Sequence, residues 1–141
     1  MKMYIHINWT AVLLAVVASM ILAKTWFMPK TFGNRWRMYT GISPIDSKKA
    51  GKKPILLTLF ANVITVITMA IMINVSSMFF QNNSLWLAML IGFVTWVAFS
   101  ASTLVTHNAF EQKPQRLTLI NAGYQLALFL IISVIIGCFG A

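Results

Sequence analysis

Carboxylate, imidazole and thiol chemistry in this chain rests on five side chains: Asp46, Glu111, His6, His107 and Cys138. Hydrolysis of glycosides or phosphoryl groups by paired carboxylates needs two acids in one site, and Asp46 and Glu111 belong to different polar segments. A metal would have to combine His6, His107 and Cys138, yet His6 and Cys138 lie near the chain ends and His107 at the opposite end of an apolar run, so no metal site is expected. The remaining arrangement is a hydroxyl nucleophile, Ser102 or Thr103, with His107 five or four residues on as its base. Only Glu111 is near enough to orient that imidazole, which is weak support for nucleophilic catalysis. The expectation is therefore a protein that is not an enzyme, with no catalytic residue, no metal and no cofactor. A single cysteine also excludes an internal disulfide.

These residues are carried by elements made almost wholly of apolar side chains. The 141 residues are 59% hydrophobic and 9% charged, with a mean hydropathy of +0.79, whereas a soluble domain is about 25% charged. Uncharged runs between Lys2 and Lys24, and again after Arg116, reach the roughly 20 residues that cross ~30 Å of hydrocarbon. The run from Lys53 to Glu111 is about twice that length and must fold back. Its one turn-like cluster is QNNS, Gln81 to Ser84. The expected fold is thus an all-α membrane protein: one integral membrane domain over 1–141, with four transmembrane helices at about 8–27, 54–80, 85–108 and 117–139 and a basic loop at 28–53. Continuous apolarity, without alternation, argues for helices over barrel strands. The first span is read as retained, because its leading region carries only Lys2 and more membrane segments follow.

Four spans put the two termini and the QNNS turn on one side and the remaining loops on the other. The first of those loops, with its flanks, carries Lys24, Lys30, Arg35, Arg37, Lys48, Lys49, Lys52 and Lys53; the second carries Lys113 and Arg116. Against them stands Lys2 alone. Positive charge is retained in the cytoplasm, so both termini are expected outside and both basic loops inside an inner (plasma) membrane. The net charge of +9 then needs no nucleic acid, and Lys48 to Lys53 has no interleaved aromatics on which bases could stack. Lys30, Arg35, Arg37, Lys48, Lys49, Lys52 and Lys53 are expected to meet anionic lipid headgroups, at about 1 kcal/mol per cation.

Between these cations lies KTWFMPKTFGNRWRMYTG, Lys24 to Gly41. Pro29 should end the first span or open a new helix. From there Phe32, Trp36 and Tyr39 recur at i, i+4 and i+7, predicting a short helix along the cytoplasmic interface with rings at headgroup depth. Gly41 and Pro44 should stop it, leaving SPIDSKKAGKK as a flexible loop. TWFMPKTFGNRW resembles the W-[YF]-x-P-x-x-F-G-x-x-W hallmark of family 1761 of domains of unknown function, small bacterial four-helix membrane proteins. Trp26, Phe27, Pro29, Phe32, Gly33 and Trp36 occupy the hallmark positions. INW at Ile7 to Trp9 is also similar to that family. So is the segment from Gly92 to Leu126, with Gly92, Trp96, Phe99, Glu111, Asn121, Gly123 and Tyr124 at matching places. The resemblance implies a bacterial origin and this architecture, and brings no activity or ligand with it.

Polar groups within spans are costly enough to need partners. Asn62, Thr65, Thr103, His107, Asn121 and Gln125 all fall in the half of the membrane nearer the basic loops. They are expected either to hydrogen-bond between helices or to line a small cavity beneath the aromatic segment. In the first span Ala11, Ala15, Ser19 and Ala23 form a small-residue face that admits a neighbouring helix. Tyr4, Trp9 and Trp86 are expected at the outer interface. The functional expectation is a non-enzymatic bundle that binds a membrane partner or lipid. The alternative is a homo-oligomeric carrier or channel without an intramembrane carboxylate.

Overall fold

The structure, a computed structural model, describes residues 4–139; Lys2 lies outside them. The described chain is helical, with four helices long and apolar enough to cross a membrane. Helix α1, Trp9–Trp26, starts at Asn8, whose Oδ1 accepts the Ala11 N–H at 3.2 Å. Two short helices follow, α2 at Gly33–Thr40 and α3 at Pro44–Ala50. Helix α4 spans Lys53–Phe80, with a proline in its first turn where the missing N–H costs nothing. It ends on Gln81 in the left-handed conformation, and the Ser84 hydroxyl then caps α5 by accepting Leu87 N–H at 3.3 Å. The hairpin therefore falls at the QNNS cluster. Helix α5 runs Leu85–Phe110 and α6 runs Gln115–Phe139.

Helix α6 is the centre of the bundle and packs on α1, α4 and α5. Its buried residues Leu117, Ile120, Tyr124, Leu128, Ile132 and Ile136 recur every three or four positions, the period of one helix face, and Phe129 and Ser133 widen that face toward α5. Of the small-residue stripe in α1, Ala11, Ala15 and Ser19 are fully buried and Ala23 is half-buried, and the Ser19 hydroxyl donates to Ala15 O at 2.6 Å. A second small-residue seam joins α5 to α6. A β-carbon at Gly92 would run into Ser133 Oγ and come within 3.1 Å of Phe129 O; one at Gly137 would lie 2.8 Å from Ala88 Cβ. Such close backbone approach supplies the dispersion contacts that hold helices together where lipid removes the hydrophobic drive.

Two features differ from the sequence reading. The segment from Ser43 to Ala50 is not a flexible loop. The Ser43 hydroxyl accepts Asp46 N–H at 3.1 Å and the Asp46 carboxylate accepts Ser43 N–H at 3.0 Å, a reciprocal capping box that nucleates α3. The Ser43 N–H donated to the carboxylate, together with the Ser43 hydroxyl beside it and Arg37 nearby, holds the Asp46 carboxyl below its ordinary range. Helix α5 is also not uniform: Trp96–Ala101 is a π-helical turn, closed by Ser102 N–H on Val97 O.

Candidate functional site at the basic end

The antiparallel arrangement brings the end of α1, helices α2 and α3, the start of α4, the end of α5 and the start of α6 to one end of the bundle. Every Lys and Arg among the described residues lies there. Both acids lie there as well. Glu111 pairs with Lys113 at 3.0 Å, and Asp46 is engaged in the α3 cap. At the opposite end Asn8 Nδ2 donates to Phe139 O at 2.9 Å, and Asn74 Nδ2 donates to His6 O, tying the segment before α1 to the ends of α6 and α4.

The segment after α1 folds back as a tight knot. Phe32 N–H donates to Trp26 O at 3.1 Å and Gly33 N–H to Met28 O at 3.0 Å, while the Thr31 hydroxyl reaches Trp26 O at 2.7 Å. Gly33 packs directly on the Phe27 and Met28 carbonyls, where a β-carbon has no room. Pro29 sits exposed in the turn. The Trp26 and Phe32 rings lie 4.5 Å apart, Phe27 meets Trp36 edge-on at 5.7 Å, and Phe27 meets Tyr124 of α6 at 5.1 Å. Helix α2 begins at Gly33 with Phe32 as its N-cap, and Trp36 N–H donates to Phe32 O at 2.9 Å, so Phe32 keeps its helical offset from Trp36 and Tyr39. Trp26 and Phe27 thus meet Tyr124 of α6, and Phe32 lies against Trp26, while Trp36 packs on Phe27 toward α1 and α4.

Two tryptophans grip α6. Trp26 Nε1 donates to Ile120 O at 3.2 Å from α1, and Trp96 Nε1 donates to Ala122 O at 2.9 Å from α5. Positions 120 and 122 lie about 200° apart on a helix, so the two indoles hold α6 from opposite sides. Gly123 keeps the Trp26 face open, since a β-carbon there would lie 3.2 Å from the ring.

The six polar span residues do not converge through hydrogen bonds. Asn62 is buried; its Nδ2 donates to Met20 Sδ at 3.4 Å, and its side chain lies beside the Tyr124 hydroxyl. Thr65 and Thr103 each return their hydroxyl to the carbonyl four residues back, at 2.9 Å. Asn121 and Gln125 are half-buried on α6, while Thr103 and His107 are exposed. A cross-helix polar pair that the sequence reading does not anticipate is Asn108 with Thr118, at 2.9 Å. Among the described residues no buried side-chain nitrogen or oxygen lacks a partner.

Clefts instead flank α2. One of about 760 Å³ lies between α1, α2, α3 and the start of α4, walled by Met20, Phe27, Trp36 and Ile55 and rimmed by Lys24 and Arg37. Arg37 there donates to Ser47 Oγ at 2.9 Å, fastening α3 to α2. The other, about 520 Å³, lies between α2 and α6 and is lined by Trp26, Phe32, Arg35, Tyr39, Arg116 and Leu119, among others. None of the six polar span residues lines either cleft. Of the expected headgroup contacts, Lys30, Arg35, Lys48, Lys49, Lys52 and Lys53 are exposed and Arg37 half-buried. No group of three metal-ligating side chains occurs among the described residues.

Four apolar spans, a charged end and an aromatic knot define an all-α, multi-pass membrane bundle. The chain belongs to the family described as "Protein of unknown function (DUF1761)", whose sequence model matches residues 10–137. No curated protein and no solved structure matches it.

Proposed function

We propose that this is a non-enzymatic bundle of a bacterial inner membrane, with both termini outside the cytoplasm, that binds anionic lipid through its basic end. The observation that carries this reading is the segregation of charge. All described cations share one end, and the two acids there are already engaged by Lys113 and by the α3 cap. The ends of the helices add to the field. Helix α4 opens with Lys52 and Lys53, and neither α4 nor α6 has an acid in its first turn, so cations stand where the helix dipole favours anions. Anionic headgroups would relieve both repulsions. Helix α2 and the exposed Lys48 and Lys49 of α3 would then lie at headgroup depth.

The test is lipid enrichment. Protein in nanodiscs of mixed zwitterionic and anionic lipid should retain anionic lipid preferentially after transfer to detergent, read by native mass spectrometry. Replacing Lys48, Lys49, Lys52 and Lys53 by glutamine should reduce that enrichment. Equal retention of both lipid classes by the unmodified protein would remove the proposal.

A further inference from the structure

The cleft between α2 and α6 has a composition that surface charge alone does not explain. Arg35 enters it from α2 and Arg116 from the first turn of α6, with the Tyr39 hydroxyl against the Arg116 guanidinium. Its remaining wall is apolar: Trp26, Phe32, Leu119 and Ile120. Among the described residues the only ion pair is Lys113 with Glu111, so neither guanidinium has a carboxylate partner. Both side chains are exposed, so their charge is open to an incoming anion, and both line the one cleft beside its apolar wall. Both come from elements fixed by other contacts: α2 by the aromatic knot, α6 by the two indoles. The pair is therefore presented to an occupant by the fold itself.

We infer that this cleft is a specific site for an anionic lipid with a phosphomonoester headgroup, bound through Arg35 and Arg116. The proposal rests on the lipid-binding reading above and assigns its ligand class and residues. A guanidinium offers paired N–H donors matched to phosphate oxygens, and two of them balance a phosphomonoester dianion, while a phosphodiester leaves one charge uncompensated. The apolar wall selects a lipid over a water-soluble phosphate. Leu119 of α6 and Met38 of α2, at 71% and 67% exposure, form an apolar path out of the cleft. A volume of about 520 Å³ suits the headgroup and its first methylenes, with the acyl chains continuing outside along that path.

The experiment uses the full chain in zwitterionic nanodiscs doped with either a phosphomonoester lipid or a phosphodiester lipid of equal chain length. Lipids retained in detergent are counted by native mass spectrometry. The unmodified protein should keep one phosphomonoester lipid, at least tenfold in preference to the phosphodiester. Arg35→Gln with Arg116→Gln should lose that lipid tenfold or more. The charge-preserving pair Arg35→Lys and Arg116→Lys should lose several-fold and covers the case in which the glutamine variant does not fold. If both folded variants retain the lipid as the unmodified protein does, the site is wrong, while the general preference for anionic lipid stands. If the unmodified protein prefers neither anionic lipid over the zwitterionic one, both readings fall. Binding of inorganic phosphate at these arginines with no lipid retained would overturn the lipid assignment.

Discussion

At Gly33 a β-carbon would sit 2.7 Å from the Met28 carbonyl and closer still to Phe27 O. Those neighbours are backbone, so they cannot rotate away, and alanine there must open the turn that seats Phe27 and Phe32. Gly33→Ala should destabilise the protein by about 1–3 kcal/mol, the range for overpacking a closed site, read as a lower thermal midpoint in detergent. A second residue-scale outcome concerns Asp46. Its pKa is lower in the folded protein than in the unfolded chain, so the cap stabilises α3 fully above the unfolded value and is lost as pH falls through the folded one. Hydrogen exchange across α3 should accelerate in that acid window, and Asp46→Asn should abolish the pH dependence. The sequence displays both residues but not equally their roles. Gly33 is legible there as part of a hallmark without its reason. Asp46 falls in a segment whose polarity and charge suggest a loop, although S-P-x-D is itself a capping signature.

Elements meet here through small residues, and the α5–α6 seam makes that testable. Gly92→Ala should destabilise the bundle, because the new methyl collides with Ser133 Oγ. Combining it with Ser133→Ala removes that atom, so the double variant should lose less than the sum of the single ones; additive losses in thermal unfolding would contradict the packing described. The π turn in α5 shows how far an element's phase depends on its interior. Ala88, Gly92 and Thr95 are buried at helical spacing, and an unbroken helix would next bury Phe99, Ser102 or Thr103, and Thr106. Those four are exposed, and the inward positions become Trp96, Ser100, Leu104 and Asn108. One extra residue in a turn rotates the remainder of the helix by about 100°. Thr103 and His107 lie on the outer surface, away from the half-buried Asn121 and Gln125 of α6.

For the whole molecule, the proposed orientation makes a separate prediction. On a Cys138→Ser background, Asn83→Cys in the hairpin should react with a membrane-impermeant thiol reagent added to intact cells. Lys49→Cys should react only after the membrane is opened. The opposite labelling pattern would invert the topology and place the lipid-binding end outside. The number of spans, the hairpin at Gln81 to Ser84 and the gathering of cations at one end are all dictated by the amino-acid sequence. Each rests on run length, composition and charge, and the bilayer imposes those constraints on any chain. Which faces meet emerges only when the helices pack. Lipid tails are as apolar as leucine, so a span's hydrophobicity does not distinguish its interior face from its lipid face. The inward-turned rings of Trp26, Phe27 and Phe32, the indole grip on α6 and the shifted phase of α5 depend on close shape and directed hydrogen bonds between distant residues, which neither periodicity nor composition records.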